Sequence, residues 1–346
     1  MRVLVTGAEG YIGSLLAPLL AERGHDVVGL DTGFYADAAL YDAGLRPVPT
    51  LRRDIRGLGE ADLAGFDAVV HLAELSNDPL GQLNPDITFR INHLGSVALA
   101  EAARRAGVSR FVYTSSCSVY GIGTGDLKDE TSAPNPQTAY AECKVLVERD
   151  VSALATNDFS PTFLRNATAY GASPRMRFDL VVNNLSGLAW TTREIRMTSD
   201  GSPWRPLVHV ADICEAVAAA LEAPREAVHG EIFNVGDSQE NYQVRDVARV
   251  VADVFPGCSL SFGSSDGDNR SYRVSFDKIA ERLPAFRCRR DVQAGAEELR
   301  GIFERIGMTP EVFEHRTFTR LKQLQHLLGT EQVGPELFWL QEAAAA

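Results

Sequence analysis

Several features that mark specialised protein classes are scarce or missing in this chain of 346 residues. No apolar run reaches the roughly 18 residues of a membrane-spanning helix, and the first residues lead into a strand without the apolar core of a signal peptide. The 34 basic residues are scattered and the formal net charge is −12, whereas nucleic-acid-binding proteins usually carry a basic stripe. We therefore expect a cytoplasmic protein that binds neither membranes nor nucleic acid.

Cysteine is also rare. The five cysteines are odd in number, far apart and form no CxxC pair, which argues against a disulfide framework and against a metal site. The remaining composition, with 45% hydrophobic and 23% charged residues, is that of an ordinary globular protein. The length exceeds what one hydrophobic core usually supports, so we expect a large domain and a smaller one.

The first half of the chain alternates apolar strands with helical segments. Apolar runs predict strands over residues 2–6, 26–31, 68–72 and 110–115. The apolar spacing over residues 11–23 predicts a helix between the first two strands. Near-continuous apolar strands separated by helices are typical of a parallel sheet covered on both faces. We expect an α/β fold with a doubly wound parallel Rossmann sheet, which residues 232–235 rejoin as a further strand.

A glycine-rich turn follows the first predicted strand and opens the first predicted helix. Gly7, Gly10 and Gly13 permit a close backbone approach to a pyrophosphate, and the helix N-terminus favours an anion. Asp31 ends the next strand 24 residues after Gly7, near the spacing of about 20 at which a carboxylate binds the adenosine ribose of a dinucleotide. Because a carboxylate repels a 2′-phosphate, the pattern predicts NAD rather than NADP.

A tyrosine and a lysine form the candidate catalytic pair. Tyr140 and Lys144 are four residues apart and so fall on one face of a predicted helix. There the lysine cation would lower the phenol pKa from about 10 and make Tyr140 a usable base. A cluster of hydroxyl side chains that includes Ser116 closes the fourth predicted strand, which is where ligands bind in open α/β sheets.

In this order, the motifs resemble the extended short-chain dehydrogenase/reductases, in particular their nucleotide-sugar epimerase/dehydratase branch. The matching segments span most of the chain and comprise residues 7–13, 31, 54–55, 71–73, 92–95, 115–121, 140–144, 183–185 and 200–212. The resemblance implies that Ser116 and Tyr140 meet the substrate hydroxyl while Lys144 holds the nicotinamide ribose. The cofactor-binding residues expected on these grounds are Gly7, Gly10, Tyr11, Ile12, Gly13, Asp31, Asp54, Ile55, Leu72, Ala73, Asn92, Tyr140 and Lys144.

The second half of the chain carries segments that contact a nucleoside-diphosphate sugar in the family it resembles. One such segment contains Asn184, and another contains an arginine, here Arg205, whose fork can meet phosphate oxygens in pairs. Arg270 stands where a second arginine often lies. For both arginines a surface salt bridge is the alternative. The substrate-binding residues expected from the resemblance are Cys117, Ser118, Thr168, Asn184, Leu185, Arg205 and Arg270.

Departures from the family pattern narrow the chemistry. The family's 4,6-dehydratases carry an acidic pair directly after the catalytic Ser or Thr, and its decarboxylases usually keep a glutamate at the second of these positions. Here the positions hold Cys117 and Ser118, neither of which can act as a carboxylic acid, so both chemistries are disfavoured. Glu74 replaces a small residue near the expected nicotinamide end, and the sequence assigns it no role.

We divide the chain into two domains and a tail. The predicted NAD-binding Rossmann domain covers residues 1–165 with returning segments near 207–236, a smaller C-terminal α/β substrate-binding domain covers residues 166–206 and 237–330, and a tail covers residues 331–346. Two predicted helices, beginning near Asn92 and Tyr140, carry more apolar positions than one sheet face needs, and relatives pair such helices across a dimer. We therefore expect a homodimer.

The interpretation that fits these observations is an NAD-dependent nucleotide-sugar epimerase that acts through a transient 4-keto sugar. Tyr140 would remove the C4 hydroxyl proton with help from Ser116. One alternative is an NAD-dependent oxidoreductase that reduces a ketosugar or oxidises a hydroxyl, and another is a 3- or 5-epimerase that uses Cys117. A catalytically inactive dinucleotide sensor would have no need to keep Ser116, Tyr140 and Lys144 together.

Overall fold

A seven-stranded parallel sheet organises the computed structural model of the chain, which describes residues 1–76, 78–123, 126–264 and 270–340. The strands are β1 Arg2–Thr6, β2 Asp26–Asp31, β3 Thr50–Arg52, β4 Ala68–His71, β5 Arg110–Ser116, β6 Leu127–Lys128, β7 Ser160–Asn166, β8 Thr168–Tyr170, β9 Glu194–Arg196, β10 Trp204–His209, β11 Ile232–Val235, β12 Asn241–Gln243, β13 Ser259–Ser261 and β14 Arg273–Val274.

Helices connect and cover these strands. They are α1 Gly13–Glu22, α2 Glu60–Leu63, α3 Asp78–Leu83, α4 Pro85–Thr88, α5 Ser96–Arg105, α6 Ala139–Ser152, α7 Val181–Thr192, α8 Val210–Glu222, α9 Arg225–Val228, α10 Val244–Val254, α11 Asp277–Arg282, α12 Val292–Ile306, α13 Pro310–Glu314 and α14 Arg320–Gly329. A π-helical segment, Phe89–Gly95, precedes α5, and a short 3₁₀ turn, Cys117–Tyr120, follows β5. Within the described residues, none of the helices has the length and apolarity needed to cross a membrane.

The order of strands in the central sheet is β11-β7-β5-β4-β1-β2-β3, and every neighbouring pair is parallel. From β1 the chain first builds the sheet outward through β2 and β3, and then continues on the other side of β1 through β4. The predicted doubly wound Rossmann sheet is thereby confirmed, including β11 as the returning strand. The reversal between β1 and β4 opens a crevice at the carboxyl edge, where ligands bind in folds of this kind.

Apolar side chains bury both faces of the sheet. On one face α1 and α8 contribute Leu16, Leu20, Val217 and Leu221 to the core, and each of these side chains is fully buried. On the other face α5 and α6 contribute a second core. Because inner strands such as β1 and β4 are covered on both sides, their sequences are largely apolar, which is the pattern that predicts them. The edge strand β3 is partly exposed.

A smaller unit stands beside the carboxyl edge. Its three-stranded sheet has the order β12-β10-β8, and α7, α10 and α12 pack into a third apolar core with residues such as Phe303. Strand β8 follows β7 after a single residue, Ala167. The chain therefore passes directly from the large sheet into the small one at the mouth of the crevice.

The C-terminal residues pack against the first half of the chain. Leu324 and Leu327 of α14 form a fourth apolar cluster with Phe34, Leu75 and residues of the π-helical segment. The predicted domain division assigns α14 to the substrate-binding domain, whereas the structure seats it on the loop after β2. Residues 331–340 of the predicted tail are seated there too, and the last six residues lie outside the described part of the chain.

The helices behind the homodimer prediction are only partly available to a partner. Val147 and Val151 on α6 are fully buried in the core of the protomer itself, so they cannot supply a dimer interface. Leu94, at the end of the π-helical segment, is 57% exposed, and Ala98 one turn later is also exposed. The homodimer stays a prediction that rests on this exposed face.

Candidate active site

A cleft of about 690 Å³ opens at the carboxyl edge of the large sheet, between the two units. Its walls include most of the residues proposed from the sequence. These are Gly7, Gly10, Tyr11, Ile12, Gly13, Asp31, Asp54, Ile55, Leu72, Ala73, Ser116, Ser118, Tyr140, Lys144, Thr168, Arg205 and Arg270. One continuous space therefore joins the glycine turn, the catalytic pair and the two arginines.

The glycine turn has the geometry that a pyrophosphate requires. Gly7 has a φ of 74°, and a Cβ added to it would lie 2.9 Å from the Ala73 amide nitrogen. A Cβ on Gly13 would lie 2.1 Å from the Gly7 carbonyl oxygen, so both positions exclude other residues. In the described structure no side chain caps the N-terminus of α1, which leaves a positive helix end facing this turn.

Asp31, the last residue of β2, contacts the glycine turn through its carboxylate. Its carboxylate accepts hydrogen bonds from the amides of Glu9 (3.0 Å) and Gly33 (2.8 Å), and these contacts fix the loop that follows the strand. Burial raises the pKa of Asp31, while the two amides act in the opposite direction. The carboxylate lines the cleft in an orientation set by the backbone, which suits recognition of ribose hydroxyls.

Helix α6 presents Tyr140 and Lys144 to the cleft. The Thr138 hydroxyl caps the helix by accepting a hydrogen bond from the Ala141 amide (3.2 Å), so Tyr140 sits in the first turn. Ser116, the last residue of β5, hydrogen bonds with the Tyr140 side chain. Tyr140, Lys144 and Ser116 thus meet at one point, at the carboxyl end of a central strand.

Lys144 is held by two acceptors. Its Nζ donates to the Thr114 carbonyl oxygen (2.6 Å) and lies 2.5 Å from Oε2 of Glu74. The other carboxylate oxygen of Glu74 accepts from the Tyr113 hydroxyl (2.5 Å). The side chains of Lys144 and Glu74 are 5% and 2% exposed, so this is a buried ion pair at the base of the cleft.

The charges around Tyr140 oppose one another. Burial raises the pKa of Tyr140, and the Glu74 and Asp78 carboxylates raise it further. The Lys144 cation and the hydrogen bond from Ser116 lower it. Glu74 therefore offsets part of the stabilisation that Lys144 gives to a phenolate.

This opposition predicts the effect of Glu74→Gln on the pH profile. The substitution removes a negative charge and keeps the shape, so the pKa of Tyr140 falls and the ascending limb of kcat against pH moves to lower pH. Steady-state rates across pH for Glu74→Gln and the unmodified protein measure the shift. Glu142→Gln is the matched control, because Glu142 is exposed and lies on α6, the helix that carries Tyr140. An unmoved limb, or one moved to higher pH, would contradict this role of Glu74.

The two arginines proposed for the substrate, Arg205 and Arg270, also line the cleft. The Arg270 guanidinium forms an ion pair with Asp78, whose carboxylate also accepts from the Thr138 hydroxyl. Arg205 donates to the Trp204 carbonyl oxygen (2.8 Å) and to that of Arg270. Arg270 thus forms a salt bridge, which was the alternative to substrate binding. This salt bridge lies within the cleft and not on an outer surface.

Apart from Oε2 of Glu74, which pairs with Lys144, two side-chain oxygens of the cleft have no hydrogen-bond partner among the described residues. They are Oγ of Ser118 and Oδ1 of Asn166, both buried and both on residues that line the cleft. Ser116 and Asn166 are direct neighbours across β5 and β7. Buried polar atoms normally have partners, so these two oxygens are available to a bound ligand.

Four residues proposed from the sequence do not line the described cleft. The Cys117 thiol turns into the core, where Sγ donates to the Arg165 carbonyl oxygen (3.2 Å) and burial raises the thiol pKa. Asn92 bonds the backbone of Leu75 through both side-chain groups (2.9 and 3.0 Å). Asn184 donates to the Phe178 carbonyl oxygen, and Leu185 belongs to the third core.

Residues 3–236 match the NAD dependent epimerase/dehydratase family. The chain belongs to this family. It is 34% identical over 251 residues to the UDP-glucose 4-epimerase of Mycolicibacterium smegmatis, covering 69% of this chain and 78% of that one. It is 29% identical over 296 residues to the dTDP-glucose 4,6-dehydratase of Streptomyces niveus, covering 80% and 84%. The solved structure of MoeE5 in complex with UDP-glucuronic acid and NAD matches with a TM-score of 0.75 at 30% identity, covering 88% of this chain and 99% of that one.

Membership of the family confirms NAD as the cofactor. The residues of the cleft fit this cofactor. The glycine turn leaves space for a pyrophosphate, and the Asp31 carboxylate, which suits ribose hydroxyls, lines the same cleft. The resemblance identified from the sequence motifs is confirmed as well.

The cleft also contains charged residues that the motifs did not indicate. They include Asp78, Arg177, Asp179 and Arg320. Asp78 opens α3, Arg177 pairs with Asp179 just before α7, and Arg320 opens α14. None of them belongs to a local motif, and only the fold brings them to the glycine turn and Tyr140.

Proposed function

We propose that this enzyme is an NAD-dependent nucleotide-sugar epimerase that inverts C4 through a transient 4-keto sugar. The observation that carries the proposal is the meeting of Ser116, Tyr140 and Lys144 in a cleft where the two positions after Ser116 offer no carboxylic acid. Oxidation at C4 needs only the first three residues. The elimination catalysed by a 4,6-dehydratase needs further acid and base groups to move protons at C5 and C6. The family's dehydratases carry them at the positions that Cys117 and Ser118 occupy here.

Tyr140 is the proposed general base. As a phenolate stabilised by Lys144, it accepts the proton of the C4 hydroxyl, and Ser116 hydrogen bonds to the same oxygen. Bound NAD supplies the acceptor and donor of the C4 hydride. After the ketosugar has turned its opposite face, Tyr140 returns the proton to the C4 oxygen and restores its own starting state.

Two arginines of the cleft support a nucleoside-diphosphate sugar as the substrate. Arg205 and Arg270 both line the cleft, and arginine forks suit diphosphate oxygens. The unpartnered oxygens of Ser118 and Asn166 line the same cleft as these arginines and Tyr140. We propose that they bind sugar hydroxyls.

The alternatives differ in what supports them. A 3- or 5-epimerase that uses Cys117 loses support, because the thiol bonds the Arg165 carbonyl oxygen inside the core. An oxidoreductase would use Ser116, Tyr140 and Lys144 equally well, so the two activities must be separated by the fate of the cofactor.

Turnover with a trace of NAD separates them. We expect the purified protein to convert a nucleoside-diphosphate hexose into its C4 epimer many times for each NAD present, with UDP-glucose, UDP-glucuronic acid and dTDP-glucose as the first substrates to try. Anion-exchange chromatography and NMR of the sugar measure the product. Oxidised or reduced product that accumulates only in proportion to added NAD or NADH would establish an oxidoreductase instead.

We further propose a homodimer that buries the exposed face around Leu94. Sedimentation at micromolar concentration should give twice the chain mass of 37.6 kDa. A single chain mass under those conditions would exclude it.

A further inference from the structure

Helix α14 begins at the cleft with a buried cation. Arg320, its first residue, is 2% exposed and lines the cleft. Its guanidinium stacks 4.1 Å from the centre of the Tyr35 ring. Two long hydrogen bonds reach the carbonyl oxygens of Thr317 (3.5 Å) and Arg175 (3.3 Å), and in the described structure no carboxylate forms an ion pair with it.

Carboxylates balance the charge of Arg320 only in part. Asp179 and Asp31 act on it electrostatically without a direct ion pair, and burial still lowers the pKa of Arg320 to about 10. Burying a cation without a directly bonded carboxylate is costly. The other buried arginine on this side of the cleft, Arg177, is neutralised by Asp179, with contacts of 2.9 and 3.1 Å. Arg320 is therefore the cation for which an anion in the cleft would be the natural partner.

The backbone around Arg320 adds to the same positive potential. Helix α14 has ten residues, and no side chain in the described structure caps its N-terminus. Thr319 and Leu321, on either side of Arg320, line the cleft as well. A helix N-terminus and a guanidinium at one place form an anion site of the kind that binds phosphate.

Contacts of α14 place this anion site on the cofactor side of the cleft. Gln323 donates to the Phe34 carbonyl oxygen (3.0 Å), and Trp339 donates to that of Thr32 (2.7 Å). These acceptors belong to the loop that directly follows Asp31. Of the arginines proposed for the substrate, Arg205 instead donates to the Arg270 carbonyl oxygen, and Arg270 pairs with Asp78.

We propose that Arg320 and the N-terminus of α14 bind the pyrophosphate of NAD, as a second phosphate-binding element in addition to the glycine turn. The element comes from a segment beyond residue 236, where the match to the family ends. This proposal rests on NAD as the cofactor and not on which sugar the enzyme converts. If the enzyme proved not to be an epimerase, the binding measurements below would still test the role of Arg320. If Arg320 proved not to bind NAD, the proposed epimerase activity would still stand.

Ligand fragments locate the contact. Calorimetric titration of the NAD-free protein with NAD, ADP-ribose, adenosine and UDP compares ligands that have or lack this pyrophosphate. We expect Arg320→Met to weaken NAD and ADP-ribose equally, by about 10- to 100-fold, as for a lost hydrogen bond to a charged group. Adenosine and UDP should bind as before, and Arg320→Lys should lose less than Arg320→Met.

The stability of the free protein separates a binding role from a structural one. Without NAD, Arg320→Met should melt at the same temperature as the unmodified protein or higher, because a buried charge without a directly bonded carboxylate has been removed. Lys322→Met, an exposed change on the same helix, controls for net charge. Unchanged NAD affinity, weaker adenosine binding, or weaker UDP binding with NAD intact would overturn the proposal, as would a large loss of stability in the NAD-free variant.

Discussion

Replacing Tyr140 by Phe should lower kcat by about 100- to 10,000-fold, the usual contribution of a positioned general base. The phenylalanine keeps the ring in the first turn of α6 and removes only the oxygen that accepts the proton. Because the ring of Tyr140, one of the expected cofactor contacts, is kept and the glycine turn is untouched, NAD should bind with nearly unchanged affinity. Rates under saturating substrate, together with calorimetric NAD binding, measure the two quantities on one preparation.

A matched control removes a phenol oxygen elsewhere. Tyr41 lies outside the cleft-lining residues, with its ring 5.4 Å from the Arg305 guanidinium, so Tyr41→Phe should retain full activity. A Tyr140→Phe variant that kept even a tenth of the activity would show that another group takes the C4 proton.

Replacing Glu148 by Ala should lower the free energy of unfolding by about 3–5 kcal/mol, because it leaves Arg165 as an unpaired buried charge. The Arg165 guanidinium meets the Glu148 carboxylate through Nε (3.0 Å) and Nη2 (2.7 Å), and both side chains are at most 5% exposed. Ser115 donates to the same carboxylate (2.5 Å). This network attaches the helix of Tyr140 and Lys144 to strands β5 and β7.

Urea unfolding at fixed temperature measures that loss. Glu142→Ala on the exposed face of α6 is the control and should change stability by less than about 0.5 kcal/mol, as surface substitutions usually do. If Glu148→Ala proved no more destabilising than Glu142→Ala, the network would not be what holds α6 in place.

The parts of the fold that could be predicted are those in which local sequence and burial coincide. Strands β1 and β2 occupy the residues expected of them, and β4 and β5 differ from expectation by one residue at an end. Strands buried on both faces are apolar throughout, so their limits are visible in the sequence. The packing position of α14 could not be predicted from the sequence, because an amphipathic pattern indicates that one helix face is buried but not which element it packs against.

The residues of the cleft also divide into those that local sequence indicates and those that only the fold brings together. Spacing predicted that Tyr140 and Lys144 share one helix face, since four residues form about one helical turn, and it predicted that Asp31 lies near the glycine turn. The ion pair of Glu74 with Lys144 joins residues far apart in the sequence, and only the packing of α6 against the end of β4 unites them. Cys117 and Ser118 are adjacent, yet the 3₁₀ turn directs the thiol into the core while Ser118 lines the cleft.

The destination of hydrogen in heavy water tests the proposed C4 epimerisation most directly. If C4 alone is inverted, the hydrogen that leaves C4 returns to C4 without meeting solvent, and only oxygen-bound protons exchange. NMR and mass spectrometry of the epimer formed in heavy water should then find no carbon-bound deuterium. Deuterium at C3 or C5, especially if it disappeared in Cys117→Ala, would contradict the C4 mechanism and establish proton abstraction beside the ketone.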